Sequence, residues 1–124
     1  MITGFEELTS EITVEEKHLM PLLQAEILCH SVTNPIKSPE ILRRLNEYMN
    51  ENNYNLVLTG PRLRKLINYA RSNSLLPIIA TSKGYYCSYE RIEIKTQIES
   101  LEERSHSIQR CADGLKKFLS TNNI

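Results

Sequence analysis

Residues 56–88, LVLTGPRLRKLINYARSNSLLPIIATSKGYYCS, decide how the rest of the chain is read. The stretch opens on a helix predicted from Pro61 to Ser72. Thr59 or Gly60 suits its cap, and Pro61 suits its first turn, where the missing N–H takes nothing from the helix. At about 100° per residue, Leu63, Leu66, Ile67 and Ala70 share one narrow face. Arg64, Lys65, Asn68 and Ser72 take the opposite face, with Arg62, Tyr69 and Arg71 on the flanks. Any surface helix needs the apolar stripe. The other half is distinctive: four cations between Arg62 and Arg71, no acid, and an amide in the middle.

A hairpin follows directly. Leu76–Ala80 and Tyr85–Ser88 are two β-prone runs, separated by Thr81-Ser82-Lys83-Gly84, in which Gly84 can take a positive φ. A basic helix joined to a hairpin with Lys83 at its tip is the working half of a winged helix-turn-helix. In that arrangement the helix enters a groove of DNA and the hairpin touches the backbone beside it.

Upstream, Ser38-Pro39-Glu40 reads as a helix start, with Ser38 the capping hydroxyl, and Ile41, Leu42, Leu45, Tyr48 and Met49 form that helix's apolar side. Glu51–Asn55 breaks it, and Leu56–Leu58 links it to the basic helix, giving a helix-turn-helix with a rather long turn. Asn34–Lys37 is a connection in which Ile36 reads as a single sheet residue. Before it, Thr13-x-x-Glu16 has the form of a capping box, so a helix is expected from Val14, with Pro21 kinking it or starting a second one. Residues 1–12 show no period and read as a loose lead-in.

Downstream, Tyr89–Leu119 contains no proline and one glycine. Ile94, Ile98, Leu101, Ile108, Ala112, Leu115 and Leu119 follow a 4-3 alternation, with Ser105 the polar member at its centre. A long helix packed on its own domain and a dimer-forming helix both fit. About 30 residues at ~1.5 Å each outrun a small domain, which favours the dimer. The dimerisation residues are then Ile94, Ile98, Leu101, Ile108 and Leu115. The expected organisation is a lead-in over 1–12, a winged-helix domain over 13–88 and a long helix within 89–124, in a mainly α protein.

The chain has 124 residues and 40% hydrophobic content, enough for one domain with a real core. The net charge is zero, but it is unevenly spread. Residues 1–34 hold six acids and one lysine, residues 35–88 hold eight bases and three acids, and residues 89–124 hold six of each. The neutral sum hides a basic middle, which is the predicted helix and wing. No run is apolar enough to span a membrane and no basic-then-apolar leader opens the chain, so a cytoplasmic protein is expected. Cys29, Cys87 and Cys111 are far apart and odd in number, which indicates neither a disulfide framework nor a zinc ribbon and suggests three buried hydrophobes.

The motifs Lys65–Arg71 (KLINYAR), Leu76–Ala80 (LPIIA) and Ser82–Tyr86 (SKGYY), followed by Ile98–Arg104 (IESLEER), resemble in order a group of small winged-helix proteins encoded by bacteriophages and prophages. The resemblance covers about residues 35–115, and the wing motif is its most specific part. Ala80-Thr81 stands where the group often has a polar pair, and Ala70 where Leu or Ile is common. The resemblance implies the fold and DNA binding, with no particular operator or gene.

Chemistry assigns the roles. Arg64 can grip guanine O6 and N7 and Asn68 adenine N6 and N7, each as a bidentate pair. Arg62, Lys65 and Arg71 are placed for phosphates, which position without reading sequence. Ser82 and Lys83 would meet backbone or minor groove, and one of Tyr85 and Tyr86 would face outward. His18, His30 and His106 have no partner at metal-ligand spacing, and no phosphate loop or nucleophile elbow is present, so neither a cofactor nor an enzyme is expected. The expected function is sequence-specific binding of double-stranded DNA by a homodimer, as a phage-type regulator of transcription or replication. The alternative is a docking module for a host or phage protein. Such a module would be expected to expose apolar residues on the helix over 61–72.

Overall fold

The computed structural model describes residues 11–122 and is mainly helical, at 64%, with one two-stranded antiparallel hairpin and a long C-terminal helix. The elements are α1 (Val14–Lys17), α2 (Met20–Leu28), α3 (Ser38–Glu51), α4 (Gly60–Ser72), β1 (Ile78–Thr81), β2 (Gly84–Cys87) and α5 (Arg91–Asn122). The chain divides into two units between Tyr89 and Glu90. Most of the lead-in expected over 1–12 lies outside the described residues.

In the first unit the local signals act largely as the sequence suggests. Thr13 and Glu16 close the capping box: Thr13 Oγ1 accepts from Glu16 N at 3.1 Å, and Thr13 N donates to Glu16 Oε1 at 2.9 Å. The helix stops after one turn, and α2 begins with Pro21 in its first turn. Ser38 does not cap α3. Lys37, with extended backbone, is the N-cap, and its carbonyl accepts from Glu40 N and Ile41 N. Ser38 is already inside the helix, one residue too late to fold back onto the first free N–H groups.

The core lies where α2, α3 and α4 meet. Leu19, Leu23, Ile27, Ile41, Leu45, Met49, Leu63, Leu66, Ile67 and Ala70 are all buried there, with Leu58 and Leu76 closing its edges. Ile78 and Tyr85 bring the hairpin to the same core. Ile36 pairs antiparallel with Tyr85: Ile36 N donates to Tyr85 O at 2.8 Å and Tyr85 N to Ile36 O at 2.7 Å. The single sheet residue therefore ties the α2–α3 connection to β2.

That tie requires Gly84. Its φ is +132°, and a Cβ there would stand 2.6 Å from the Ile36 carbonyl oxygen. The hairpin turn is tighter than expected. Thr81 pairs with Gly84, leaving only Ser82 and Lys83 between strands. Thr81 Oγ1 holds the turn by accepting from Lys83 N at 3.2 Å and donating to Gly84 O at 2.9 Å.

The second unit is α5. Its 4-3 stripe is open to solvent over much of its length, with Ile108 and Leu115 each 70% exposed.

Candidate nucleic-acid interface

α4 is held at both ends. At its start, Thr59 Oγ1 accepts from Arg62 N at 3.4 Å, which settles the cap on Thr59. Just before it, Asn46 of α3 clamps the link with two bonds: Leu58 N donates to Asn46 Oδ1 at 2.8 Å, and Asn46 Nδ2 donates to Leu58 O at 3.1 Å. This amide fixes how α4 leaves the turn. The α3 end is closed by Asn53 at φ +60°, with Tyr54 N donating to Met49 O. The α4 end repeats the device with Ser74 at φ +54° and Leu75 N donating to Ala70 O. Both are Schellman-type closures built on non-glycine residues.

The α4 core face is the expected one: Leu63, Leu66, Ile67 and Ala70 are buried. On the opposite side Arg64, Asn68 and Ser72 are exposed, and Lys65 and Arg71 are half-buried. Ser82 and Lys83 are exposed at the hairpin tip. No large hydrophobic residue of α4 is exposed.

Arg62 is the exception. Its Nε lies 2.7 Å and its Nη2 2.5 Å from the two carboxylate oxygens of Glu16, and Nη2 also donates to Glu11 O at 2.9 Å. The side chains of Arg62 and Glu16 are only 11% and 4% exposed. A guanidinium fixed in this way is not presented to a phosphate, so Arg62 leaves the predicted contact set. Its hydrogen bonds instead hold the Glu16 carboxyl below its ordinary pKa, against the upward push of burial.

Ion pairing also thins the basic middle elsewhere. Arg43 binds Glu40 and Glu47, and Arg44 binds Glu40 and Glu26, so the α3 cations are spent on carboxylates. These two guanidiniums hold the pKa of the Glu40 carboxyl down at about 2. Among the described residues no ion pair engages Arg64, Lys65 or Lys83. Apart from the exposed Lys37 at the N-cap of α3, the surplus charge of residues 35–88 thus lies on α4 and the hairpin tip.

No family model, curated protein or solved structure matches the chain. Geometry alone therefore carries the account of this face.

Two features of the face have no signature in the sequence. An open cleft of roughly 300 Å³ runs along it, lined by Lys65, Asn68, Tyr69, Ser72 and Asn73 on one side and Glu11 and Ile12 on the other. Lys17 of α1 sits with its Nζ 5.6 Å from the Tyr69 ring centroid, adding a cation beside α4. Both depend on α1 and the segment before it packing along α4, which periodicity within α4 cannot report.

Neither tyrosine of the expected in-out pair is exposed. Tyr86 is buried, and Tyr85 packs against the core. The cysteines also depart from expectation. Cys29 and Cys111 are exposed, and only Cys87 is part-buried, with burial raising its thiol pKa. Cys29 follows the last turn of α2, and Cys111 lies off the apolar stripe of α5, so neither faces a core. Among the described residues no group of three His, Cys, Asp or Glu could hold a metal, and no helix is long and apolar enough to cross a membrane.

Proposed function

We propose that the chain binds double-stranded DNA sequence-specifically as a winged helix-turn-helix protein, acting as a homodimeric phage-type regulator of transcription or replication. The observation that carries this reading is the outward side of α4. Arg64 and Asn68 stand exposed one turn apart, Lys65 lies beside them, and α4 contains no acid. The order of elements supports it: α2, the Ile36 bridge, α3, α4 and then the hairpin. In this reading α4 enters the major groove, Arg64 and Asn68 read base edges, and Lys65, Arg71 and Lys17 hold phosphates. Ser82 and Lys83 reach the backbone beside the groove.

The test is Arg64→Glu with Lys65→Glu, with thermal melting to check the fold and gel shift on a site selected from random duplexes. The expected result is a folded protein that no longer shifts DNA. A folded double variant with unchanged affinity would refute the proposal.

A protein-docking role is the second reading. It is favoured by exposed apolar side chains outside α4: Val57 is 77% exposed, and the exposed Tyr48 and Tyr54 rings lie 6.2 Å apart. Under the DNA reading, Val57→Asp leaves DNA affinity intact. Under the docking reading, it abolishes capture of the protein partner.

A further inference from the structure

α5 presents an apolar seam on which Ile98, Leu101, Ile108, Leu115 and Leu119 are exposed, and its charges say which partner fits. From Glu93 to Glu103 it carries four glutamates and one lysine. From Arg104 to Lys117 it carries four bases and one aspartate. Divided at its midpoint, the helix is weakly acidic in its first half, residues 91–106, where Arg91 and Arg104 offset part of the acid to leave a net −1, and basic in its second, residues 107–122, at a net +2.

A second copy can lie alongside in two senses. In a parallel, in-register pair, acidic half meets acidic half, basic half meets basic half, and Ser105 and Ala112 each face their own copies. Two layers of the seam are then small against small, leaving voids that cost packing. In an antiparallel pair centred between His106 and Ser107, each acidic half faces a basic half. Every layer then changes. Ile94 meets Leu119, Ile98 meets Leu115, Leu101 meets Ala112, and Ser105 meets Ile108. Each small residue is matched to a large one. The centre of this register is also the midpoint of Arg91–Asn122, so the two helices overlap over their whole length. The opposed helix dipoles add in the same direction.

We infer that α5 pairs with α5 of a second copy, antiparallel and end-matched, so that the partner this surface fits is the same chain running the other way. The inference rests on the self-association proposed above but not on DNA binding. Its functional consequence is spacing. The two Arg91 ends stand about 46 Å apart at ~1.5 Å per residue. The two DNA-reading units leave from opposite ends of the pair, which suits half-sites more than one turn of duplex apart, about 34 Å.

Spin-label distances on the full chain test this without DNA. In a background of Cys29→Ser, Cys87→Ala and Cys111→Ser, a label at Ser120→Cys is expected to give about 40 Å between copies, from ~1.5 Å rise over the intervening residues. A mixture of chains labelled at Thr96→Cys and at Ser120→Cys is expected to add a short distance, near 20 Å or below, because these positions fall almost opposite each other. Circular dichroism confirms the helix in each variant, and sedimentation confirms two copies. A short Ser120 distance means parallel pairing and overturns the inference, as does a folded chain that sediments as a monomer across the micromolar range. Loss of DNA binding with the 40 Å distance kept would count against the DNA reading alone.

Discussion

Arg62 provides the sharpest separation between what α4 displays and what holds it in place. In Arg62→Met, Glu16 loses two charge-assisted hydrogen bonds and keeps its contacts with Thr13, whose N–H donates at 2.9 Å, while remaining nearly sealed from solvent. Stranding a buried charge in this way typically costs about 3–5 kcal/mol. The lower end applies here, about 3 kcal/mol, because α1 is one turn long and its detachment caps the loss. For a unit of this size that is a fall in Tm of roughly 10–20 °C. The double variant Glu16→Gln/Arg62→Met removes both charges and is expected to recover most of the loss, to within about 1 kcal/mol of the wild type.

The dependence on pH carries its own sign. In the wild type the Glu16 pKa is lowered from 4.5, so its contribution is present above that value and is lost as pH falls through the folded pKa. In Arg62→Met burial acts without the guanidinium and raises the folded pKa. The variant's penalty is then absent at low pH and grows as pH rises past about 4.5. Urea melts from pH 3.5 to 7.5 are expected to show the two stabilities diverging with pH. If Arg62→Met melts like the wild type at neutral pH but loses DNA affinity, the structural assignment is wrong and Arg62 is a phosphate contact after all.

Three further outcomes follow from the geometry. Gly84→Ala is expected to lose about 2–3 kcal/mol in urea melts, because the new Cβ meets the Ile36 carbonyl and φ is positive. Lys83→Ala is expected to weaken binding to all duplex sequences alike and to reduce the slope of log affinity against log salt by about one unit, read by anisotropy titration. Leu101→Asp with Ile108→Asp places charge in the exposed α5 stripe and is expected to sediment as a monomer with an unchanged hairpin unit.

Local terms were legible in the sequence. The buried stripe of α4, the Thr13–Glu16 capping box and the Thr59 cap depend on residues within a turn or two of each other. Gly84 was read as a turn residue, and that was half of its reason. The other half is a backbone 48 positions away in sequence, at Ile36, which no local pattern records. Arg62 fails for the same cause. Helical periodicity gives its angle around α4 but not that Glu16 stands at that angle, and a flanking arginine looks alike whether it faces phosphate or carboxylate. Arg43 and Arg44 counted toward a basic middle until their contacts with Glu40, Glu47 and Glu26 showed which cations remain to act outward.

That redistribution bears on how a chain of zero net charge can bind a polyanion. Affinity from phosphates depends on the cations that reach them, not on the sum over the chain. One proposed unit offers few: Lys65, Arg71 and Lys83, with Lys17 joining across the Tyr69 ring. If all four meet phosphates, the salt slope is about −0.9 per contact, near −3.6 for one unit and near −7 for two. The first value is too shallow for tight binding at physiological salt, and the second reaches the range of specific regulators. Under the proposed function, the exposed seam of α5 and the basic face of α4 are parts of one requirement. A neutral protein with a small cationic face gains affinity by using that face twice, and a slope near −7 that falls to half in Leu101→Asp/Ile108→Asp would show both faces at work.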